Sequence, residues 1–323
     1  PEHERMYYQL LRIKAADKAY IDHTSDKEIQ KLLDYYESAG SDKSLLAEVY
    51  YYAGSVYRDL NDAPQALEYF QKALDALSTD GNITLKSNIY NQSAHLFLHQ
   101  TLFREALKMF KQSYLCDSII NDTSAMVYSL KDIAYTYDKL RKPDSAFIYY
   151  NIAYEYAVQK NEVEAIGDVT GQMADYYINR KDYVKARQYI KPLLIRNDSI
   201  SNNAWYTMAV IINMRTEEHD SALYYCNKLL EIGNAATKQM ATYNLIKIYS
   251  QRKDYENIQK MLKLYTLYTD SVNKITAIES MARMNSMYNY QLREKENLRL
   301  KEENKSNIIK IFIIGSTKLE KQR

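Results

Sequence analysis

Two histidines are the strongest candidates for chemistry in this chain of 323 residues. His95 and His99 lie one helical turn apart, which is a spacing at which two imidazoles can bind zinc. A metalloprotease helix would carry a glutamate directly after the first histidine, but Leu96 stands there instead. No third ligand can be named from the sequence, so a metal-dependent enzyme using His95 and His99 is the least favoured interpretation.

Other catalytic motifs are missing from the sequence. The chain has 7 glycines and 4 prolines, and no two glycines are placed as in a phosphate-binding loop or a dinucleotide fingerprint. There is no G-x-S-x-G nucleophile elbow, and Cys116 and Cys226 are too far apart to suggest a disulfide framework. We therefore predict no catalytic residue, no cofactor and no metal ion.

The composition also bears on partners and on the fold class. The 43 lysines and arginines nearly balance the 41 aspartates and glutamates, for a net charge of +2, so we expect no direct nucleic-acid binding by this segment. Glycine and proline are needed for tight hairpins, and their scarcity argues against an all-β fold. The 33 tyrosines, against 6 phenylalanines and 1 tryptophan, predict a core rich in amphipathic rings.

Small and bulky residues recur at forty-residue spacing through the middle of the chain. One small series is Ala66, Ala106, Ala146 and Ala186, and the other, twelve residues earlier, is Gly54, Ala94, Ala134 and Ala174. Three residues after the earlier series come Tyr57, Phe97, Tyr137 and Tyr177. Four residues after the later series come Phe70, Phe110, Tyr150 and Ile190. Such spacings place side chains on one face of a helix, so each unit is predicted to be a pair of helices.

These units resemble the tetratricopeptide repeat (TPR), a helix–turn–helix motif with this order of small and aromatic positions. Pro64 and Pro143 fit the first turn of the second helix, where a missing N–H costs nothing. HEAT repeats share the forty-residue period but lack these columns. The resemblance implies an all-α fold, a right-handed α-solenoid, with six hairpins at 47–80, 87–120, 127–160, 167–200, 202–235 and 239–272. Residues 1–46 are predicted to form capping helices.

TPR proteins line a concave groove with the first helix of each hairpin, and the resemblance places a partner-binding surface there. Its mixture of tyrosine, asparagine, histidine and both signs of charge suits a peptide or protein partner. The carboxylate-clamp pattern of chaperone-binding TPR domains is not matched at Tyr51, Ser55, Tyr128 and Asp132. The predicted lining is Tyr51, Arg58, Asn91, His95, His99, Tyr128, Lys131, Tyr135, Asp138, Asp175, Tyr206, Tyr243, Asn244 and Lys247.

The C-terminal end changes character twice. Residues 273–306 are predicted to form a long charged helix, either solvated or pairing in a homodimer. In 307–323 an apolar block from Ile308 to Ile314 precedes Lys318, Lys321 and Arg323. The block is shorter than the roughly 20 residues of a membrane span, so a truncated membrane anchor and an amphipathic tail both stay open.

The layout resembles bacterial TPR sensors, in which a TPR ectodomain precedes a charged helix, a membrane span and an output module. Our leading hypothesis is a non-enzymatic scaffold that binds a peptide or protein and forms the sensory part of an envelope-associated signalling or transcriptional regulator. It would be membrane-anchored on the periplasmic side. The alternative is a soluble cytoplasmic TPR regulator that captures a signalling peptide.

Overall fold

The computed structural model describes residues 2–38, 42–77, 81–195 and 202–278, and six single positions beyond them. Within these ranges the secondary structure is helical, without a strand. The chain divides into two compact units, with residues 1–81 in the first and residues 82–279 in the second. The all-α prediction is confirmed, and each unit is described below by itself.

The first unit contains two pairs of helices. They are α1 (Glu2–Lys18), α2 (Lys27–Ser38), α3 (Lys43–Asp59) and α4 (Ala63–Ala76). The helices α1 and α2 occupy the region predicted to cap the array. Their buried residues include Leu10, Leu32 and Tyr36.

The second unit continues as five consecutive helical hairpins. Its helices are α5 (Ile83–His99), α6 (Phe103–Ile119), α7 (Thr123–Lys139), α8 (Pro143–Lys160), α9 (Val163–Asn179), α10 (Tyr183–Ile195), α11 (Asn202–Arg215), α12 (His219–Ile232) and α13 (Ala235–Gln251). Residues 255–278 form a further helix, α14.

The forty-residue repeat has a simple local origin. Helices such as α5, α6 and α7 have 17 residues each, and three residues connect each to the next, so two helices with their connections make forty. The central residue of the connection inside each hairpin is left-handed, with φ between 58° and 62° at Asn61, Thr101, Arg141 and Lys181. This conformation lets the next N–H bond back to the helix end, as Leu102 N does to Phe97 O at 2.9 Å.

The starts of the helices follow from their first residues. Asp62 and Asp122 accept hydrogen bonds from the N–H groups of Gln65 and Ala125, at 3.1 and 3.0 Å. Pro64 lies in the first turn of α4 and Pro143 in that of α8, as the sequence predicted. Five of the observed hairpins begin four residues before the predicted bounds, because the repeat columns mark the buried face and not the cap. The hairpin that begins with α11 starts at Asn202, as predicted.

The small residues of the repeat lie where two helices of a hairpin cross. Ala94, Ala106, Ala134 and Ala146 are fully buried. Gly54 faces the buried ring of Phe70 so closely that a methyl group there would overlap it. Tyrosines stack beside these crossings, with ring centroids 5.5 Å apart for Tyr57–Tyr69, 5.3 Å for Tyr137–Tyr149 and 5.4 Å for Tyr177–Tyr189.

The structure describes only part of the C-terminal region for which the sequence made predictions. Helix α14 runs to residue 278 without a break, past the predicted end of the last hairpin at 272. Most of the charged segment 273–306 and all of 307–323 lie outside the described residues. Among the helices that the structure does describe, none is both long and apolar enough to cross a membrane.

Candidate functional site

Most predicted groove residues lie in the second unit, on the first helix of each hairpin. Helix α5 carries Asn91, His95 and His99, helix α7 carries Tyr128, Lys131, Tyr135 and Asp138, and helix α9 carries Asp175. Two ion pairs join helices α5, α7 and α9. They connect His95 to Asp132 and Asp138 to Arg180, and the predicted lining contained neither Asp132 nor Arg180. We call the surface formed by these three helices the α5–α7–α9 face. Its side chains are Asn91, His95, Tyr128, Lys131, Asp132, Tyr135, Asp138, Lys139, Asp175 and Arg180.

His95 connects α5 to α7. Its Nε2 lies 3.4 Å from Asp132 Oδ2, and its ring meets Phe110 edge-on at 5.0 Å between centroids. His99, one turn later, is exposed. In the part of the chain that the structure describes, no group of three or more His, Cys, Asp or Glu is arranged to hold a metal ion. His95 thus lies close to Asp132 and packs against Phe110.

Tyrosines and lysines alternate along α7. Lys131 Nζ lies 5.2 Å from the centre of the Tyr128 ring, and Lys139 Nζ lies 4.7 Å from that of Tyr135. Such pairs form because residues three or four apart share one side of a helix. Both rings are partly exposed, so each presents an aromatic surface with an ammonium group over it.

Arg180 connects α9 to α7. Its Nη2 lies 2.6 Å from Asp138 Oδ1, and its guanidinium carbon lies 3.5 Å from the centre of the Tyr176 ring. The sequence analysis named Asp138 but not Arg180. The missed signal was its position directly after the end of α9, where its side chain reaches Asp138 of α7.

Below this surface lies a phenol ring from the second helix of a hairpin. Tyr150 on α8 is 2% exposed. Its burial raises the pKa of the phenol, and the carboxylates of Asp138, Asp175 and Asp132 raise that pKa further. Asp175 accepts a hydrogen bond from Asn179 Nδ2 at 3.0 Å. Burial raises the pKa of Asp175 despite that bond and the nearby Lys139.

The remaining predicted groove residues of the second unit do not join this face. Tyr206 packs against Tyr225 of α12 at 5.6 Å. The amide of Asn244 donates to the carbonyl of Met240 on its own helix at 2.9 Å. Tyr243 and Lys247 form a separate exposed pair, with Lys247 Nζ 4.3 Å from the ring centre.

The two predicted groove residues of the first unit need correction. Tyr51 is only 7% exposed, because its ring packs against Tyr52 and Phe70, and burial raises its pKa to about 12. Arg58 is engaged inside the unit, with Nη2 at 2.9 Å from Asp17 and 2.7 Å from Asp59. Helical spacing places both residues on one face but does not show how deeply the preceding helices cover it.

Arg58 belongs to a polar network in which Asp59 is central. Asp59 Oδ2 also lies 2.7 Å from His23 Nδ1 and accepts the His23 backbone N–H at 3.1 Å. Burial alone would raise the pKa of Asp59, but the hydrogen bonds from His23 and Arg58 outweigh it and lower that pKa. This network ties the connection between α1 and α2 to the end of α3.

Comparisons with known proteins find relatives by structure only. Neither a family model nor a curated protein matches the sequence. The chain is similar to a signal-transduction ATPase (STAND) protein with a tetratricopeptide repeat sensor from Pyrococcus horikoshii, with TM-score 0.70 and 16% identity over 88% of this chain and 44% of that one. It is also similar to a Rap protein complexed with Competence and Sporulation Factor, with TM-score 0.56 and 15% identity over 90% of this chain and 83% of that one.

A third similar structure is NprR in complex with its cognate peptide NprX. Its TM-score is 0.51 and its identity 12%, over 88% of this chain and 84% of that one. At such identities the likeness concerns the fold alone.

Proposed function

We propose that this chain, whose fold is that of TPR proteins, is a non-enzymatic scaffold that binds an extended peptide or protein segment on its α5–α7–α9 face. The observation that carries the proposal is the set of partly exposed tyrosines on α7. They lie between charged groups, of which Asp132 and Asp138 are paired with His95 and Arg180 from the neighbouring helices. These side chains are fixed before a ligand arrives, so binding loses little of their rotamer freedom.

The chemistry of this face suits a peptide backbone. Tyr128 and Tyr135 offer broad contact with few rotatable bonds, and their hydroxyls can donate and accept. Asp132, Asp138 and Asp175 accept hydrogen bonds, whereas Lys131 and Arg180 donate them, so both kinds of backbone group find partners. Two of the similar structures contain a peptide or a factor bound to a TPR-type chain, which supports this use of the fold.

An array of synthetic heptapeptides of random sequence, attached through their C-termini, tests the proposal. The intact chain is expected to bind a subset of the array, and Tyr135→Ala to weaken that binding by on the order of tenfold, because a central aromatic contact is lost. Tyr255→Ala is the matched control, since Tyr255 is 72% exposed on α14 and removed from the face. Equal binding by both variants, or no peptide bound, would count against the proposal.

We propose further that the chain is the sensory part of an envelope-associated bacterial signalling or transcriptional regulator. The support is the apolar block from Ile308 to Ile314, followed by basic residues as on the cytoplasmic side of a membrane anchor. Fractionation of the native protein tests this. Recovery with the membranes is expected, whereas recovery in the soluble fraction would favour the alternative, a cytoplasmic regulator that captures a signalling peptide.

A further inference from the structure

A cavity of about 280 Å³ lies between α10, α11 and α12 of the second unit. None of its lining residues belongs to the α5–α7–α9 face. Its volume is just below the roughly 300 Å³ at which pockets begin to hold drug-sized molecules, so it suits a small ligand.

Arg187 of α10 lines this cavity and is held by three partners. Its Nη1 donates to Glu218 Oε2 at 2.5 Å, and its Nη2 donates to Thr216 Oγ1 at 2.7 Å and to Asn213 Oδ1 at 3.2 Å. The repeat does not require a cation at this position. The residues at the same position of the preceding hairpins are apolar, namely Leu67, Leu107 and Phe147.

The side chain of Asn213 on α11 is the observation that points to a ligand. Asn213 lines the cavity and is only 7% exposed. Because the guanidinium of Arg187 can only donate, the amide atom that faces it is the oxygen. The amide nitrogen Nδ2 then has no hydrogen bond within the part of the chain that the structure describes, and it is not sealed from solvent. Buried polar groups normally have a partner, so this donor is available to a ligand in the cavity.

The other polar groups that line the cavity favour an anionic ligand. Lys191 forms no ion pair or hydrogen bond among the described residues, and its ammonium group can only donate. Glu218 is the one acidic residue of the described lining, and the hydrogen bond and charge of Arg187 lower its pKa, so it stays ionised and paired. Arg187 and Lys191 against Glu218 leave one net positive charge at the cavity.

The rest of the lining is apolar and comes from all three helices. A hydrocarbon chain lying against it would be removed from water. A monoanion with a short hydrocarbon tail therefore fits both sides of the cavity, whereas a phosphate monoester would bring nearly two negative charges to one net positive charge. The apolar lining consists of Ile190, Leu194, Ala209, Ile212 and Tyr225.

We propose that this cavity binds a small carboxylate with a short aliphatic tail, whose head accepts hydrogen bonds from Asn213 Nδ2 and Lys191 Nζ. A free aliphatic acid has this chemistry, and so does the C-terminal residue of a peptide that ends in an aliphatic side chain. The inference goes beyond the proposed function, because the cavity and the α5–α7–α9 face share no residue.

Titration of the intact chain with hexanoate tests the inference, followed by NMR through the amide signals of α10 to α12 and the side-chain amide of Asn213. Hexan-1-ol, hexylamine and acetate are the matched probes. Hexanoate is expected to bind at least about tenfold more tightly than each of them, because the alcohol lacks the charge, the amine has the opposite charge and acetate lacks the tail.

The source of the carboxylate is distinguished by a second pair of probes, N-acetyl-leucine and its amide. Tighter binding of N-acetyl-leucine than of hexanoate, lost in the amide, identifies a peptide C-terminus. Tighter binding of hexanoate identifies a free aliphatic acid.

Two variants connect binding to the cavity. Asn213→Asp keeps the size of the side chain and a partner for Arg187, but replaces the donor by a negative charge, and is expected to abolish hexanoate binding without lowering the melting temperature. Lys191→Met removes an exposed ammonium group and should weaken binding by about tenfold. Lys263→Met changes an exposed lysine of α14 outside the cavity, so it is the matched control and should leave binding unchanged.

Three results would overturn the inference. They are equal binding of hexanoate and hexan-1-ol, tighter binding of hexylamine than of hexanoate, and hexanoate binding that survives in Lys191→Met and in folded Asn213→Asp. Failure of every probe to shift the amide signals of the folded chain overturns it as well. None of these results bears on peptide binding at the α5–α7–α9 face, so the inference and the proposed function fail separately.

Discussion

A buried aspartate, Asp117, lies among hydroxyl groups in the second unit. Asp117 on α6 is 2% exposed, and serine hydroxyls surround it where a cation would be expected. Ser87 Oγ donates to one carboxylate oxygen, and Ser129 Oγ donates to the other at 2.8 Å. Burial raises the pKa of Asp117 despite these bonds, and Asp122 adds a smaller effect in the same direction.

This raised pKa predicts a pH dependence of stability. The folded chain holds the Asp117 proton more tightly than the unfolded chain, so the free energy of unfolding should fall as pH rises from the unfolded value, about 3.9, through the raised folded value. Urea unfolding of the wild type and of Asp117→Asn, followed from about pH 3.9 to neutral pH, measures this decrease. The decrease due to Asp117 should be missing from the variant, and identical pH profiles would contradict the prediction.

Gly54 provides a second prediction at this scale. A Cβ atom there would overlap the ring of Phe70, which is 1% exposed and has no free space to enter. Gly54→Ala should therefore lower the free energy of unfolding by roughly 1–3 kcal/mol, although alanine is the better helix former. Gly171→Ala is the control, because a Cβ atom there meets only ordinary contacts of 3.6 and 3.8 Å. Equal effects of the two changes would exclude the steric explanation.

Sequence spacing predicted which residues share a side of a helix but not how deeply they are covered. Tyr51 and Lys131 hold the same position of the forty-residue repeat on first helices, yet Tyr51 is buried and Lys131 is partly exposed. The difference arises from contacts between residues far apart in sequence, such as those that cover α3. The same limit explains why Arg180 and Asp132 were missed, since each gains its role from a partner on another helix.

At the level of elements, the connections inside the hairpins share one backbone conformation. Glycine is scarce in this chain, but the left-handed position does not depend on it, because Asn61, Thr101, Arg141 and Lys181 adopt that conformation. The repeat columns located the helix pairs, and the caps at Asp62 and Asp122 explain the starts. The last pair departs from the small-residue columns, since Ile246 and Ile258 stand at positions that are small in the other units.

Thr101 is the costliest of these left-handed residues, because a β-branched side chain fits the conformation poorly. Thr101→Gly should raise the free energy of unfolding by up to about 1 kcal/mol. The change relieves backbone strain in the folded chain, but glycine also gives the unfolded chain more conformational freedom, which offsets part of the gain. Asn121→Gly is the matched comparison, since asparagine tolerates a positive φ and should gain less. A smaller gain at Thr101 than at Asn121 would contradict this account.

For the whole molecule, the division into two units matters most. Residues 1–81 and 82–279 form separate compact units, and within each unit helices pack mainly against their neighbours in sequence. In chains built this way, stability is close to a sum of local contributions, so a defect can remain local. The sequence predicted the array but not this division, because the repeat columns continue across it.

Hydrogen exchange on the intact chain carrying Gly54→Ala tests that locality. The clash with Phe70 weakens the contact between α3 and α4, so their amides should exchange faster, by about five- to 150-fold if the loss is roughly 1–3 kcal/mol. The amides of α7 to α10 should keep their wild-type rates, because they belong to the other unit, which we expect to unfold independently of α3 and α4. A uniform acceleration along the whole chain would instead mean that both units unfold in one cooperative step.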